Sequence, residues 1–263
     1  MNERSLQSCI VGFFDILGFR ELTQMAERDF NQALGIIRDI EGLFQNIRSE
    51  YSELIESGLD IKMFSDNVCL SFPYDSSDSN LSANLYSLIE ILADIQINMV
   101  FRGFPIRGGI ALGMHYASEN IIFSTGLVRA YETESKIAIV PRIVCHPTLT
   151  DVLSQHTRKN SNDEDVLLIE YLDRDVDNFH FINYLVRQAE SYDWEDEFFG
   201  MLEQHKEVIT KNAREHQGNI KVLSKYYWLA EYHNRIADPE YTDERYLIDM
   251  SVLFPETCKN PLK

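Results

Sequence analysis

The sequence predicts an α+β fold: a ferredoxin-like or palm-type sheet with a βααββαβ core, followed by a C-terminal helical extension. Three observations predict it. Short β-favouring apolar runs stand at residues 8–14, 59–64, 67–72 and 105–113. Between them lie longer segments of helical period, led by Leu85, Leu88, Ile91, Leu92, Ile95 and Met99. A chain of 263 residues, 44% hydrophobic, is long enough for one sizeable core with an extension and cramped for two full domains.

The first run ends near Asp15, and Gly18 marks a tight turn that opens a helix. Residues 20–54 carry apolar side chains at helical spacing (Ala33, Ile36, Ile40, Leu43, Ile47), read as two consecutive helices ended by Gly58. Residues 59–64 and 67–72 are separated by Ser65 and Asp66, a hairpin signal. A polar, serine-rich loop at 74–80 precedes the helix at 81–101, and 105–113 alternates like a strand of small residues. A short arm at 120–123, a helix at 126–135 and a strand at 142–145 complete a sheet expected to carry its helices on one face. Residues 1–150 read as one domain. Residues 151–263 read as a helical extension packed on it or continuing it, with a charged loop at 158–165, one strand at 166–172 and helices at 194–217 and 220–235.

With 42 acidic against 24 basic residues and a formal charge of -18, the surface repels a polyanion, so no nucleic-acid partner is expected and a small phosphorylated ligand needs a local basic pocket. The four cysteines Cys9, Cys69, Cys145 and Cys258 lie far apart without metal-ligand spacing and read as small apolar residues in a reducing cytosol. Seven histidines show no metal-binding spacing. The apolar run near the N-terminus is too short for a signal peptide or a membrane span, so a cytoplasmic, membrane-free protein is expected.

Asp15 stands at the end of an apolar strand, where a lone carboxylate is costly and needs a cation or N–H partners. Asp66 stands in a hairpin turn. In a palm-type topology that hairpin lies beside the first strand, so carboxylates 51 residues apart converge, as a two-metal phosphoryl or nucleotidyl site requires. The main chain from Ile16 to Phe19 would cradle phosphate, Gly18 allowing close approach. The bland alternative is a structural turn aspartate and a structural strand-end aspartate.

Phe14-Asp15-Ile16-Leu17-Gly18-Phe19 resembles the F-x-D-I-x-G-F element of class III adenylate and guanylate cyclases. Lys62 through Asp66 is similar to that family's K-x-x-G-D element, with Ser65 in place of glycine. Residues 105–113, PIRGGIALG, are similar to its R-x-G-I-x-x-G strand. The resemblance covers about residues 10–145. It implies a class III nucleotidyl cyclase domain with two divalent metals, Mn2+ or Mg2+, held by Asp15, the Ile16 carbonyl and Asp66. It also implies a nucleoside triphosphate against Phe14, Leu17, Gly18, Phe19 and Lys62, and active sites shared across a homodimer. The family's V-N-x-A-x-R helix is altered: Arg129 stands in the asparagine slot and Thr133 in the arginine slot. Arg129 either stabilises transition-state charge or pairs with Glu132 on the helix surface. Arg107 and Arg142 are further triphosphate candidates, each equally readable as a salt bridge.

FFDILGF, FSDNVCLSF, GLVRAYETE, PRIVC and KYYWLAEYHN resemble the stand-alone cyclases of bacterial Pycsar antiphage systems. That resemblance implies conversion of UTP, or CTP, to a 3′,5′-cyclic monophosphate read by a separate effector protein. Two alternatives remain open. A palm-type polymerase or dinucleotide cyclase would use the same carboxylates, against which stand the acidic charge and the lack of a GG[DE]EF signature. A non-catalytic, cyclase-like regulatory module is the other.

Overall fold

The computed structural model describes residues 5–75, 80–159, 171–191, 195–237, 242–255 and 258. Its centre is β1 (Gln7–Ile16), a run of apolar residues buried on both faces, as expected of an inner strand. Gly18, at φ 87, turns the chain into α1 (Phe19–Ala26). Asp29 caps α2 (Phe30–Glu50) by accepting the Gln32 N–H at 3.0 Å. After α3 (Ser52–Glu56) comes the hairpin of β2 (Asp60–Phe64) and β3 (Asn67–Pro73), joined by Ser65 and Asp66. The expected serine-rich loop falls largely at 76–79, outside the described residues. Helix α4 (Asn80–Phe101), apolar on nearly all sides, forms the core's central pillar.

Then follow β4 (Ile106–Ala117), β5 (Ile122–Ser124), α5 (Thr125–Lys136), β6 (Ile143–Cys145) and α6 (Pro147–Lys159). Ser124 caps α5 by accepting the Leu127 N–H at 2.9 Å. Arg158 and Lys159 close α6, the rest of the predicted charged loop lies outside the described residues, and so does most of the strand expected at 166–172. Leu172 opens β7 (Leu172–Arg174), which pairs with β8 (His180–Ile182). The late helices are α7 (Tyr184–Ser191), α8 (Glu195–Glu215), α9 (Ile220–Ile236) and α10 (Met250–Leu253), with a 3-10 turn at Glu244–Tyr246. Helices α7 and α8 pack on α4.

The sheet runs β2-β3-β1-β4-β6-β8-β7, with β5 hung on β4. The mixed α+β architecture and helical C-terminal part are as the sequence predicts. So is the placement of the β2–β3 hairpin, whose β3 pairs antiparallel with β1 and sets Asp15 opposite Asn67. The sheet continues beyond residue 150, because β8 pairs with β6.

One expectation is corrected. The helices do not share a face: a Cβ on Gly12 would meet Leu92 of α4, whereas the neighbouring Val11 meets Gly126 of α5, and successive strand residues point to opposite faces. Small residues permit this second layer. A Cβ on Gly109 would lie 2.4 Å from the Ala130 carbonyl oxygen, and one on Gly113 would lie 2.3 Å from the Gly126 nitrogen. Gly109 and Gly113 of the RGGIALG run therefore seat α5 on β4, while Gly108 lets β4 lie close against Phe13 and Phe14 of β1. All four cysteines are buried, and among the described residues no helix is long and apolar enough to cross a membrane.

Candidate functional site

The strand end and the hairpin tip are stitched together by their main chains. The Ile16 N–H donates to the Asp66 carbonyl at 2.9 Å, and the Leu17 N–H donates to the Pro105 carbonyl at 2.9 Å. Asp15 and Asp66 thus stand side by side, with the Asn67 amide donating to Asp66 Oδ1 at 2.9 Å. Ser65 holds the hairpin in the left-handed region at φ 58. A glycine adopts that conformation freely and a serine does so at about 1 kcal/mol, so serine still serves the turn. Immediately beyond, α1 begins at Phe19 behind Gly18, and no side chain caps it, which leaves its first N–H groups without intrahelical partners.

Arg107, opposite Asp15 in the β1–β4 register, places its Nε 3.5 Å from Asp15 Oδ2 and 2.7 Å from Glu134 Oε1. The Arg107–Glu134 contact is an ion pair and not an aligned hydrogen bond, since neither atom has a hydrogen-bond partner. Burial pushes the Asp15 carboxyl above its ordinary value; the Arg107 guanidinium pulls it back and the Asp66 charge pushes it up again. Burial likewise pushes Glu134 up to about 7, against Arg107 and with help from Asp15. Arg107 therefore leaves the carboxylates short of positive charge.

Two carboxylates and the Ile16 carbonyl form an all-oxygen donor set, and under-compensated carboxylates at a strand end suit a hard divalent cation such as Mg2+ or Mn2+. Among the described residues no three His, Cys, Asp or Glu side chains gather as a metal cluster, so a cation here would depend on the two aspartates and on main-chain or ligand oxygen.

The other expected site residues divide. Lys62 faces the same side of the sheet as Asp15: it registers with Cys69, Cys69 with Phe13, and Phe13 is two residues from Asp15 on β1. Its ammonium lies 3.5 Å from Asp60. Gly18 and Phe19 stand at the open end of α1. Phe14 is a correction, because strand alternation turns its ring away from Asp15 into the core, where it is 0% exposed. Leu17 is another, its side chain buried and its N–H occupied.

Arg142 is the third correction. Its fully buried guanidinium donates to Asp175 at 2.8 Å and to Asp177, which commits it to joining β6 to the β7–β8 hairpin and not to a triphosphate. Arg129 donates to the Leu112 carbonyl at 2.6 Å. Leu112 lies five residues up β4 from Arg107, roughly 16 Å at strand rise, so a single chain does not bring Arg129 to Asp15. Thr133 is buried, its hydroxyl donating to the Arg129 carbonyl at 2.8 Å.

Two residues at the site escaped the sequence reading. Glu134 is 3% exposed on the face of α5 that also carries Ala130 and Thr133, and a charge on a helix's buried face was the available signal. Lys225 of α9 is half-buried in the fields of Arg107, Asp15, Glu21 and Glu134. Burial, and next the Arg107 charge, hold its ammonium below the usual lysine value.

No protein-family model matches the chain, and no curated protein matches it. Solved structures do. The chain is similar to the adenylyl cyclase CyaB from P. aeruginosa, with 18% identity over 68% of this chain and 95% of that one at a TM-score of 0.41. It is also similar to the monomeric guanylyl cyclase domain of the RhoGC fusion protein from the aquatic fungus Blastocladiella emersonii, with 13% identity, 67% and 94% coverage and a TM-score of 0.43. A third is a class III adenylyl cyclase-like ATP-binding protein from Pseudomonas aeruginosa, with 11% identity over 62% of this chain and 40% of that one at 0.42. These are likenesses of chain course.

Proposed function

We propose that this chain is a metal-dependent nucleotidyl cyclase that converts a nucleoside triphosphate, UTP in preference to CTP, into a 3′,5′-cyclic monophosphate and pyrophosphate. The observation that carries the reading is the pairing of Asp15 with Asp66, sewn together by the Ile16 N–H bond to Asp66 and set beside the uncapped start of α1. Divalent metals held by Asp15, Asp66 and the Ile16 carbonyl would acidify the attacking hydroxyl and neutralise phosphate charge.

This chain's own groups do the rest. The N–H groups at Gly18 and Phe19 receive phosphate oxygens at the positive end of α1. Arg107, oriented by Glu134, offers charge beside Asp15. Lys62, on the same sheet face, donates to an acceptor on the base. In the reaction the ribose O3′ bonds to the α-phosphorus and loses its proton, while the α-phosphorus bond to the bridging oxygen breaks and pyrophosphate leaves. Arg129, too far from Asp15 in its own chain, serves the site of a second copy; shared sites across a homodimer follow. The motif resemblance supports the pyrimidine preference and a messenger role read by a separate effector in antiviral defence, and the scattered cysteines support a cytoplasmic location.

A cyclase-like module that binds nucleotide without turnover is the second reading, favoured by Arg107 already lying against Asp15 and by Thr133 where the family has arginine. One experiment separates these. Purified chain is incubated with equimolar ATP, GTP, CTP and UTP and Mn2+, and products are identified by mass spectrometry, over a dilution series that dissociates a dimer. The expected product is mainly cUMP, with specific activity falling on dilution, and none from Asp15→Ala or Asp66→Ala at unchanged circular dichroism. Mainly cAMP or cGMP would remove the pyrimidine assignment and keep the cyclase. Nucleotide binding without any product would establish the module.

A further inference from the structure

Building on that reading, we propose that Lys225, carried by the late helix α9, is a substrate-binding residue of the same site and donates its ammonium to the triphosphate of the bound nucleotide. Tyr226, Tyr227, Trp228, Leu229 and Ala230 are all buried, so the helix is fixed by packing on most of its circumference. Its orientation is set by named contacts. The Trp228 indole N–H donates to Asp175 at 2.8 Å, and the same carboxylate takes the Arg142 guanidinium at 2.8 Å. The Arg142 carbonyl accepts the Gly108 N–H at 2.9 Å, and Gly108 follows Arg107 on β4. Residues three apart share a helix face, so Lys225 stands one turn before Trp228, and it lies within the fields of Arg107 and Asp15.

A lysine on such a helix commonly runs its stem along apolar surface and leaves its head in water. Lys225 differs by its surroundings. Its charge is felt by Asp15 and Glu134, and it feels Glu21, yet among the described residues it makes no ion pair and no hydrogen bond. The other cation of the site, Arg107, is already held by Glu134 and Asp15. Lys225 is thus a cation at the site with its donors uncommitted, poised for an anion that arrives. A triphosphate beside Asp15 and Asp66 is that anion, and three rotatable donors on a flexible stem suit phosphate oxygens.

The test uses the full chain, Lys225→Met and Lys225→Arg, with circular dichroism as the folding control. Inorganic tripolyphosphate with Mg2+ is titrated calorimetrically at low and high salt. One charged hydrogen bond predicts binding roughly 10- to 100-fold weaker in Lys225→Met, with a shallower salt dependence. Arginine, which keeps the charge, should rescue it. In turnover the Met variant should raise KM more than it lowers kcat. Unchanged tripolyphosphate affinity in Lys225→Met, in a wild type that binds it and makes cyclic product, would overturn the Lys225 assignment and leave the proposed function standing. A wild type that binds no tripolyphosphate and yields no product would remove both.

Discussion

Adding one methyl group at Gly109 should cost both stability and turnover, whereas the same methyl at Gly35 should stabilise. The Cβ of an alanine at 109 would sit 2.4 Å from the Ala130 carbonyl oxygen and 2.7 Å from the Thr133 Cβ. Both neighbours belong to α5, one of them main chain, so the helix must retreat by roughly 1 Å to restore ordinary contact. Overpacking of this kind costs about 1–3 kcal/mol. Gly35 lies inside α2 with nothing within 4 Å of its would-be Cβ, so Gly35→Ala gains about 0.5–1 kcal/mol from helix propensity alone. At ~2–4 °C per kcal/mol for a chain of this size, the two melting temperatures should move in opposite directions, down by roughly 2–12 °C for Gly109→Ala and up by roughly 1–4 °C for Gly35→Ala. Turnover adds a second reading. Glu134 rides on the displaced helix, and a 1 Å displacement can cost on the order of 100-fold in rate, so Gly109→Ala should lose far more activity than its folded fraction explains. Equal melting temperatures in the two variants, or full activity in Gly109→Ala, would refute the close packing of α5 on β4.

Arg142→Leu should lower stability by about 3–5 kcal/mol, because it strands the buried Asp175 carboxylate without its cation, as urea midpoints can show. The buried pair His205 and His233, with Nδ1 atoms 3.0 Å apart, accommodates one proton between them; the His233 Nε2–H donates to the Tyr246 carbonyl at 2.9 Å, and the Tyr184 hydroxyl meets His205 Nε2 at 2.8 Å. Burial holds His233 down to about 4 and His205 well below its ordinary value. The folded state therefore refuses protons that the unfolded chain takes below about pH 6.5, and stability present above that pH should fall toward pH 4 at up to about 1.4 kcal/mol per unit per histidine. Glu134, raised to about 7, works the other way between pH 7 and its ordinary value, so the profile is best followed in Glu134→Gln by denaturant midpoints. A flat profile there would contradict the neutral pair.

Much of this was legible in local pattern. The repeat from Leu85 to Met99 belongs to a helix buried on nearly every side, and a dipeptide between two apolar runs marked the hairpin that carries Asp66. What escaped depends on distant residues. Arg142 looked like an available cation because its partners, Asp175 and Asp177, stand more than thirty residues on. The second helical layer was hidden in glycines that resemble turn residues until their neighbours on α5 are known. Strands β7 and β8 have three residues each, too few to show a period. Glu134 and Lys225 lie in helices whose buried sides could not be fixed without the sheet beneath them.

The late helices also have a meaning in time. A ribosome delivers Asp15 and the hairpin first, while Trp228, whose indole closes the Asp175 and Arg142 link onto β4, emerges after 228 − 15 = 213 further residues. At 5–20 residues per second that interval is roughly 10–40 s. A growing or prematurely ended chain that stops short of Asp175 therefore carries both aspartates while Arg142 lacks its carboxylate partners and β6 lacks β8 beside it. The link that ties α9 to β6 and β4 closes only once Trp228 has arrived.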